Sequence, residues 1–558
     1  MNTASIFSFL SFGYEGTLVK VEVDLKNGLP MTEIIGLPGN AVKESRERVR
    51  VAIKNSGFDF PQKRILINLS PASEKKDGAG FDLPIALSLL LSMRNLDAGK
   101  KIPVLVLGEL ELSGAVRPVS GVLAGIFCGL QAGITTFIVP AKSTYTSSAL
   151  PPCKVFGINN LQEALSCLDA VIQGDESEFT TGTAAVEVSD KKSITGSSTI
   201  VEPDCRNTDT YSCVHTEVDT IRWSPFLSEY DYTDVRGQIE LVSALEIAAV
   251  GGHNLLAYGP PGCGKSLALS RFQQLLPDLD IRTAREVSRI YSIAGLNTVE
   301  AEEGHLLYTP PFRMPHQSAS LEGIIGGAGK CLPGEISLAH GGVLFLDEAN
   351  QFKVSVLQSL RAPLETGTVT LSRAERRTTY PSRFQVLLAL NPCPCGNAGS
   401  PNRFCTCSPQ VLDRFWKRLT APLLDRIDLR CFVLPPSRKS LLEPSPLTTA
   451  YLRKRITSAC SVQYERNMFY SRAENDTQML IKNAHLAPEL VSKICALTEE
   501  AARLFYAYAR TQTSGRASHA ILKVARTISD LECSEKINSA ELEKAILLRK
   551  LEDFLPEL

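Results

Sequence analysis

The sequence predicts an α/β protein whose principal domain is an open sheet of parallel strands, and three stretches carry that expectation. Leu255–Tyr258 is a short apolar run that gives way to Gly259-Pro-Pro-Gly-Cys-Gly-Lys-Ser266 and then to a helix. Val343-Leu-Phe-Leu-Asp-Glu348 is a second apolar run, ending in two carboxylates, and residues 384–390 are a third, ending at Asn391. A strand buried on both faces of a parallel sheet is nearly continuous in apolar residues, and open α/β sheets bind ligands at the carboxyl ends of their strands.

Along the chain, residues 1–172 alternate short apolar strands with helices: a strand at 65–69, a helix from Asp82, a strand at 104–107, a helix from Val122 and a strand at 136–139. This reads as an α/β domain of its own. Residues 173–228 shift to Ser, Thr, Asp, Glu and Gly with few large apolar side chains, which bury too little surface to offset chain entropy, and they read as a flexible linker. Cys205, Cys213 and His215 fall in it at a spacing that matches no familiar metal-ligand pattern. Residues 229–435 hold the three strands just described, and 436–558 are helical. Apolar residues recur at helical spacing through 490–508 and 521–531, and Asn538 with Glu541 resembles a capping box opening a last helix through Ile546. The expected arrangement is a helical lid over the ligand site.

The 558 residues suffice for about three domains. The net charge of −1 excludes a globally polybasic protein, so any nucleic-acid contact must use a local patch or repeated copies. No apolar run of ~18 residues or more and no leader pattern appears, which makes the cytoplasm the expected location and a membrane an unexpected partner. Fifteen cysteines scattered through a large α/β chain favour reduced thiols or metal ligation over disulfides.

Residues 259–266 match G-x-x-x-x-G-K-[ST] between a strand and a helix, the setting of a phosphate-binding loop. Gly259, Pro260, Pro261, Gly262, Cys263 and Gly264 would turn backbone N–H groups around a β-phosphate. Lys265 would reach the β/γ oxygens, and Ser266 would offer a hydroxyl to Mg²⁺ at the positive end of the helix. ATP is the expected ligand. Asp347 would hold Mg²⁺ through water, Glu348 would polarise the attacking water, and Asn391 would orient that water or sense the γ-phosphate. Cys393, Cys395, Cys405 and Cys407 form C-x-C…C-x-C directly after Asn391. Four thiolates so close can surround a structural Zn²⁺, and the other reading is four reduced thiols.

Residues 311–320 (PFRMPHQSAS), 323–327 (GIIGG), 333–340 (PGEISLAH), 391–396 (NPCPCG) and 422–428 (PLLDRID) closely resemble the magnesium-chelatase-like AAA+ ATPases of the YifB/ComM type. The resemblance covers nearly the whole chain except the linker. It implies an AAA+ P-loop ATPase core with a helical lid, assembled as a homohexamer with ATP between neighbouring subunits. Arg426 then matches the arginine finger and Arg516 the sensor 2 arginine of the lid. Two insertions of this superclade, which protrude into the ring pore, have counterparts at 304–330, with Arg313, His316 and Lys330, and at 367–381, with Arg373, Arg376 and Arg377. Cations on such loops would contact DNA phosphates without reading bases.

The first domain resembles the Lon-protease fold through 76–87 (KDGAGFDLPIAL) and 108–116 (GELELSGAV). Proteolysis there needs a Ser–Lys dyad, but Ala79 and Gly80 stand where the serine should follow and Leu123 stands at the lysine. A leucine is no general base. The resemblance to the YifB/ComM-type ATPases implies an ATP-driven DNA translocase that promotes branch migration of branched or single-stranded DNA in homologous recombination and natural transformation. A chelatase motor driving metal insertion into a tetrapyrrole with a partner subunit is the alternative, and an ATP-dependent protease is the third.

Overall fold

A computed structural model describes residues 3–94, 103–144, 150–174, 221–225, 230–296, 298–302, 304–327, 331–373, 376–400, 403–471, 482–510 and 515–551. Most of 173–228 lies outside the described residues, with Cys205, Cys213 and His215. The chain divides into two compact units. One comprises Met1–Ser8, Val19–Val119 and Gly129–Ile221, the other Phe9–Leu18, Ser120–Cys128 and Arg222–Leu558.

The first unit is built on seven strands: β1 (Thr3–Leu10), β2 (Thr17–Lys26), β3 (Met31–Ile35), β4 (Arg64–Ser70), β5 (Val104–Val106), β6 (Thr136–Pro140) and β7 (Lys154–Ile158). They lie in the order β3-β4-β2-β1-β5-β6-β7. β2 and β4 pair antiparallel from Lys20↔Ser70 to Lys26↔Arg64, whereas β3–β4, β1–β5, β5–β6 and β6–β7 are parallel. β4 buries alternate residues, Ile65, Ile67 and Leu69, as a strand with one covered face must. Helices α1 (Asn40–Asn55), α2 (Asp82–Met93) and α4 (Leu161–Gln173) belong to this unit, whereas α3 (Val122–Gln131) falls for most of its length, to Cys128, in the second. α2 is buried from Asp82 through Ser92. Its one carboxylate tolerates that position because Arg48 of α1 forks onto it, Nε to Oδ2 at 2.8 Å and Nη2 to Oδ1 at 3.1 Å.

The second unit carries β8 (Leu255–Tyr258), β9 (Phe312–Arg313), β10 (Val343–Leu346), the hairpin β11 (Thr368–Arg373) and β12 (Arg376–Pro381), β13 (Gln385–Leu390) and β14 (Leu429–Phe432). Five of these form one parallel sheet in the order β9-β10-β13-β8-β14. Every residue of β8, β10 and β13 is buried, the pattern expected of strands covered on both faces. Register sets their ends level: Tyr258 pairs with Leu390, and Leu346 with Leu388. The three following segments therefore emerge side by side.

The helices of this unit that bear on the site are α5 (Ile239–Gly251), α6 (Lys265–Ser270), α7 (Ile281–Ala294), α8 (Arg361–Thr366), α9 (Pro409–Trp416), α10 (Thr449–Ser471), α11 (Pro488–Ile494), α12 (Glu499–Ala509), α13 (Gly515–Leu531) and α14 (Ser539–Leu547). The apolar stretch 490–508 is two helices, not one continuous run. Residues 496 and 498 exchange backbone hydrogen bonds with Ile537, at 2.9 and 3.0 Å, and Thr498 caps α12 by accepting from the Ala501 N–H. Periodicity does not reveal a break imposed by a distant partner. The capping box at Asn538 and Glu541 forms, each side chain accepting from the other's N–H at 2.9 Å. Asp530 of α13, wholly buried, accepts from Arg466 of α10 at 2.6 Å, Arg526 at 2.9 Å and Asn483 at 2.8 Å. Among the described residues no helix is long and apolar enough to cross a membrane.

Candidate nucleotide site

The loop after β8 is shaped by its glycines. Gly262 and Gly264 sit at φ of 80° and 89°, a region that disfavours any side chain, and a Cβ added to Gly259 would lie 2.0 Å from the Val433 carbonyl oxygen. α6 begins at Lys265, so the loop delivers its amides to a helix N-terminus. The Lys265 ammonium is folded back on the loop, donating to the carbonyls of Gly259 at 2.7 Å and Pro260 at 2.8 Å. Burial pulls this amine below the usual lysine range, opposed by Cys263 and Asp347.

Ser266 donates its hydroxyl to Asp347 Oδ1 at 3.0 Å, which joins the loop after β8 to the end of β10. The same oxygen accepts the Glu348 N–H at 2.9 Å. Glu348 itself has φ of 49°, a left-handed conformation that costs a non-glycine residue about 1–3 kcal/mol and concentrates at functional positions. Gln351 donates to Glu348 Oε2 at 2.6 Å and fixes where the carboxylate points. Asn391 follows β13 directly. Lys265, Ser266, Asp347, Glu348 and Asn391 thus stand at the ends of three adjacent strands. The oxygen donors Ser266 and Asp347 suit a hard divalent cation such as Mg²⁺, which takes one or two carboxylate or hydroxyl ligands and keeps waters.

Gln238, just before α5, was not singled out by any motif. Its amide donates to the carbonyl of Cys263 at 2.7 Å and of Leu434 at 2.8 Å, and so it tethers the phosphate-binding loop to the segment after β14. Trp416 of α9, fully buried, donates its indole N–H to the Pro392 carbonyl at 3.0 Å and sets its ring edge-on to Tyr258 at 5.7 Å. It locks the residue after Asn391 to the last residue of β8. No sequence signal marked Gln238. Trp416 could have been suspected, since the chain has only two tryptophans.

The four cysteines converge. Their sulfurs all lie within 4.8 Å of one another, with Cys393–Cys395 at 3.3 Å, Cys395–Cys405 at 3.6 Å and Cys405–Cys393 at 3.7 Å. Sulfurs placed ~2.3 Å from a tetrahedral centre are about 3.8 Å apart, so the set could hold a metal ion. Burial pushes the Cys393 thiol up to about 12. The cluster abuts the phosphate-binding loop, because a Cβ at Gly396 would fall 2.8 Å from Pro261 Cδ.

Arg426 and Arg516 meet on a residue that sequence reading missed. Glu365 of α8 accepts from Arg426 Nη2 on Oε2 at 2.5 Å and from Arg516 Nη2 on Oε1 at 2.6 Å. Arg426 also donates to the Pro422 carbonyl at 2.5 Å, and its Nε is buried with no acceptor among the described residues. The two guanidinium groups hold the Glu365 carboxyl below the usual carboxylate range.

The residues expected at DNA stand in different surroundings. Arg313 is engaged bidentately by Glu335 at 2.7 and 2.8 Å, an ion pair within the fold that leaves the arginine side chain 28% exposed. His316 is exposed with Nδ1 2.7 Å from Ser318 Oγ, and Lys330 lies outside the described residues. On the hairpin, Arg373 pairs in register with Arg376, and Ser372 with Arg377. Arg373 and Arg377 are exposed, whereas Arg376 lies 4.6 Å over the Phe12 ring. Segment Phe9–Leu18 braces the hairpin further: Tyr14 donates its N–H to Thr378 Oγ1 at 2.9 Å and meets Tyr380 edge-on at 5.7 Å.

Comparison with known families gives three matches: magnesium chelatase, subunit ChlI, over residues 231–441; subunit ChlI of Mg-chelatase over 21–143; and the ChlI C-terminal region over 447–549. The chain is 35% identical to YifB of Salmonella typhimurium over all of its length and 99% of that protein's. It is 34% identical to the competence protein ComM of Haemophilus influenzae, again over 100% and 99%. A Lon protease of Methanosarcina barkeri is 31% identical over 137 residues, 23% of this chain and 16% of the protease.

Proposed function

This chain belongs to the YifB/ComM family of magnesium-chelatase-like proteins, and from that premise we propose that it is an ATP-driven hexameric DNA translocase promoting branch migration in recombination and transformation. The observation that carries the motor part is the convergence of Lys265, Ser266, Asp347, Glu348 and Asn391 at the ends of β8, β10 and β13. The DNA part rests on the competence role stated in the ComM relative's name and on the exposed Arg373 and Arg377 of the hairpin.

In this reading Lys265 leaves the Gly259 and Pro260 carbonyls to meet the β- and γ-phosphates, which are stronger acceptors. Ser266 and Asp347 would hold Mg²⁺, which when bound neutralises charge on the β,γ-phosphate oxygens. Glu348, already turned by its left-handed backbone, orients the attacking water, and Asn391 holds that water from the neighbouring strand. Arg426 and Arg516 stabilise charge on the γ-phosphate, Arg426 at a neighbouring subunit's site. The C-terminal helices act as the lid. The four cysteines hold structural Zn²⁺, for which the sulfur spacing and the closed donor set speak; four sulfurs leave no position for catalysis. The first unit, with Ala79 and a buried Leu123 at the dyad positions, serves assembly or DNA contact and not proteolysis. Full-length likeness to YifB and ComM favours the translocase over the chelatase motor.

The test is to incubate the protein with ATP and labelled Holliday or three-stranded junctions. Junction movement together with DNA-stimulated ATP hydrolysis is expected; absence of both sinks the proposal.

A further inference from the structure

Glu365 satisfies two arginines at once, and it does so at the root of the arginine-bearing hairpin. It is the penultimate residue of α8; Gly367 then turns left-handed at φ of 66°, and β11 starts at Thr368. The two ends of the hairpin are tied there, since Ser382 donates its N–H to the Gly367 carbonyl at 2.8 Å and Gly367 donates to Pro363 at 2.8 Å. A shift of the α8 terminus is therefore passed to both strands of the hairpin.

The cluster is also short of acceptors. Two guanidinium groups share one carboxylate, which leaves an excess positive charge, and Arg426 Nε is buried with no acceptor among the described residues. The Arg516 pair is open to water, with Glu365 51% and Arg516 45% exposed, whereas the Arg426 side chain is 14% exposed and its pair opens to water on the carboxylate side. A pair as exposed as Arg516–Glu365 is weak, worth ~0–1 kcal/mol, and a polyphosphate carrying several charges offers both arginines more acceptors than the one carboxylate they share. The arginines are held, but not tightly.

Building on the motor reading above, we propose that Glu365 is the resting partner that Arg426 and Arg516 leave when they take up the γ-phosphate, and that their departure frees the end of α8 and with it the root of the β11–β12 hairpin. Glu365 is then a positioning residue: it touches no reacting atom, and its release reports nucleotide occupancy to the loop that faces DNA. The carboxylate competes with ATP in the resting state.

The experiment compares full-length protein with Glu365→Gln, which keeps the shape and removes the charge. Three quantities are read: the ATP concentration for half-maximal assembly by sedimentation, the KM and kcat of ATP hydrolysis without DNA, and the ratio of kcat with and without single-stranded DNA. For Glu365→Gln, assembly and KM should shift about fivefold toward lower ATP, as loss of two ion pairs permits, and the DNA stimulation ratio should fall toward one. Glu365→Asp, which keeps the charge, should stay near the parent in both. An unchanged KM and stimulation ratio overturns the proposal, and so does a raised KM, which would make Glu365 a support for the arginines and not their competitor. Should the Gln variant fail to fold, Glu365→Ala, which also removes the charge, is read in the same measurements: KM should fall about fivefold, and an unchanged or raised KM overturns the proposal. A parent protein without DNA stimulation would sink the translocase reading, while the KM measured without DNA still tests Glu365.

Discussion

Ser266 Oγ stands 3.0 Å from Asp347 Oδ1 across 81 positions of sequence, and that hydrogen bond marks where the loop after β8 meets the end of β10. Parallel register between β10, β13 and β8 makes the meeting obligatory: once Leu346 pairs with Leu388 and Leu390 with Tyr258, the residues beyond them share one edge.

Lys265→Ala should abolish nucleotide binding, whereas Glu348→Gln should bind ATP and fail to turn it over. Binding of a fluorescent ATP analogue and steady-state phosphate release separate the two. Normal turnover by the Glu348 variant would remove that residue from its assigned role.

Arg426→Ala should assemble and bind ATP yet hydrolyse it about 10³-fold more slowly, the scale of an arginine finger. Mixing Arg426→Ala with Lys265→Ala subunits should restore part of the activity, because an intact loop on one then faces an intact arginine on the other. No recovery on mixing would place Arg426 at its own subunit's site.

Metal analysis of protein purified under reducing conditions should find one zinc per chain. Cys405→Ser should lose it and lower Tm by about 5 °C or more. Cobalt exchange should produce the charge-transfer bands of a tetrathiolate; a metal-free parent would end the zinc assignment.

Trp416→Ala should cost about 3–5 kcal/mol in denaturant unfolding, from the cavity and the lost Pro392 bond. Trp416→Phe should cost less in stability and still weaken ATP hydrolysis, since Pro392 loses its donor next to Asn391. Parent-like hydrolysis by the Phe variant would show that this bond does not position Asn391.

The strands β8, β10 and β13 were legible because burial on both faces leaves an unbroken apolar signature, and the residues at their ends follow from it. The cysteine tetrad was legible because its members are near in sequence. Glu365 and Gln238 were not. Glu365 finds its arginines 61 and 151 residues away, and Gln238 reaches a carbonyl 196 residues on, so only the folded chain brings the partners together. Arg313 shows the converse: a cation in the expected insertion is claimed by Glu335, 22 residues later, which no charge count exposes. The split of 490–508 into α11 and α12 came from pairing with Ile537, a constraint that helical periodicity does not encode.

The contact between Gly396 and Pro261 leaves no room for a methyl group, so the turn between the first two cysteines and the last two shares a wall with the phosphate-binding loop. Chemistry aimed at sulfur will therefore be read in phosphate release. Chelators that strip metal from the four sulfurs should alter ATP affinity without touching a residue of the nucleotide site, and the storage history of a sample, reductant and metal included, becomes a variable of every hydrolysis assay.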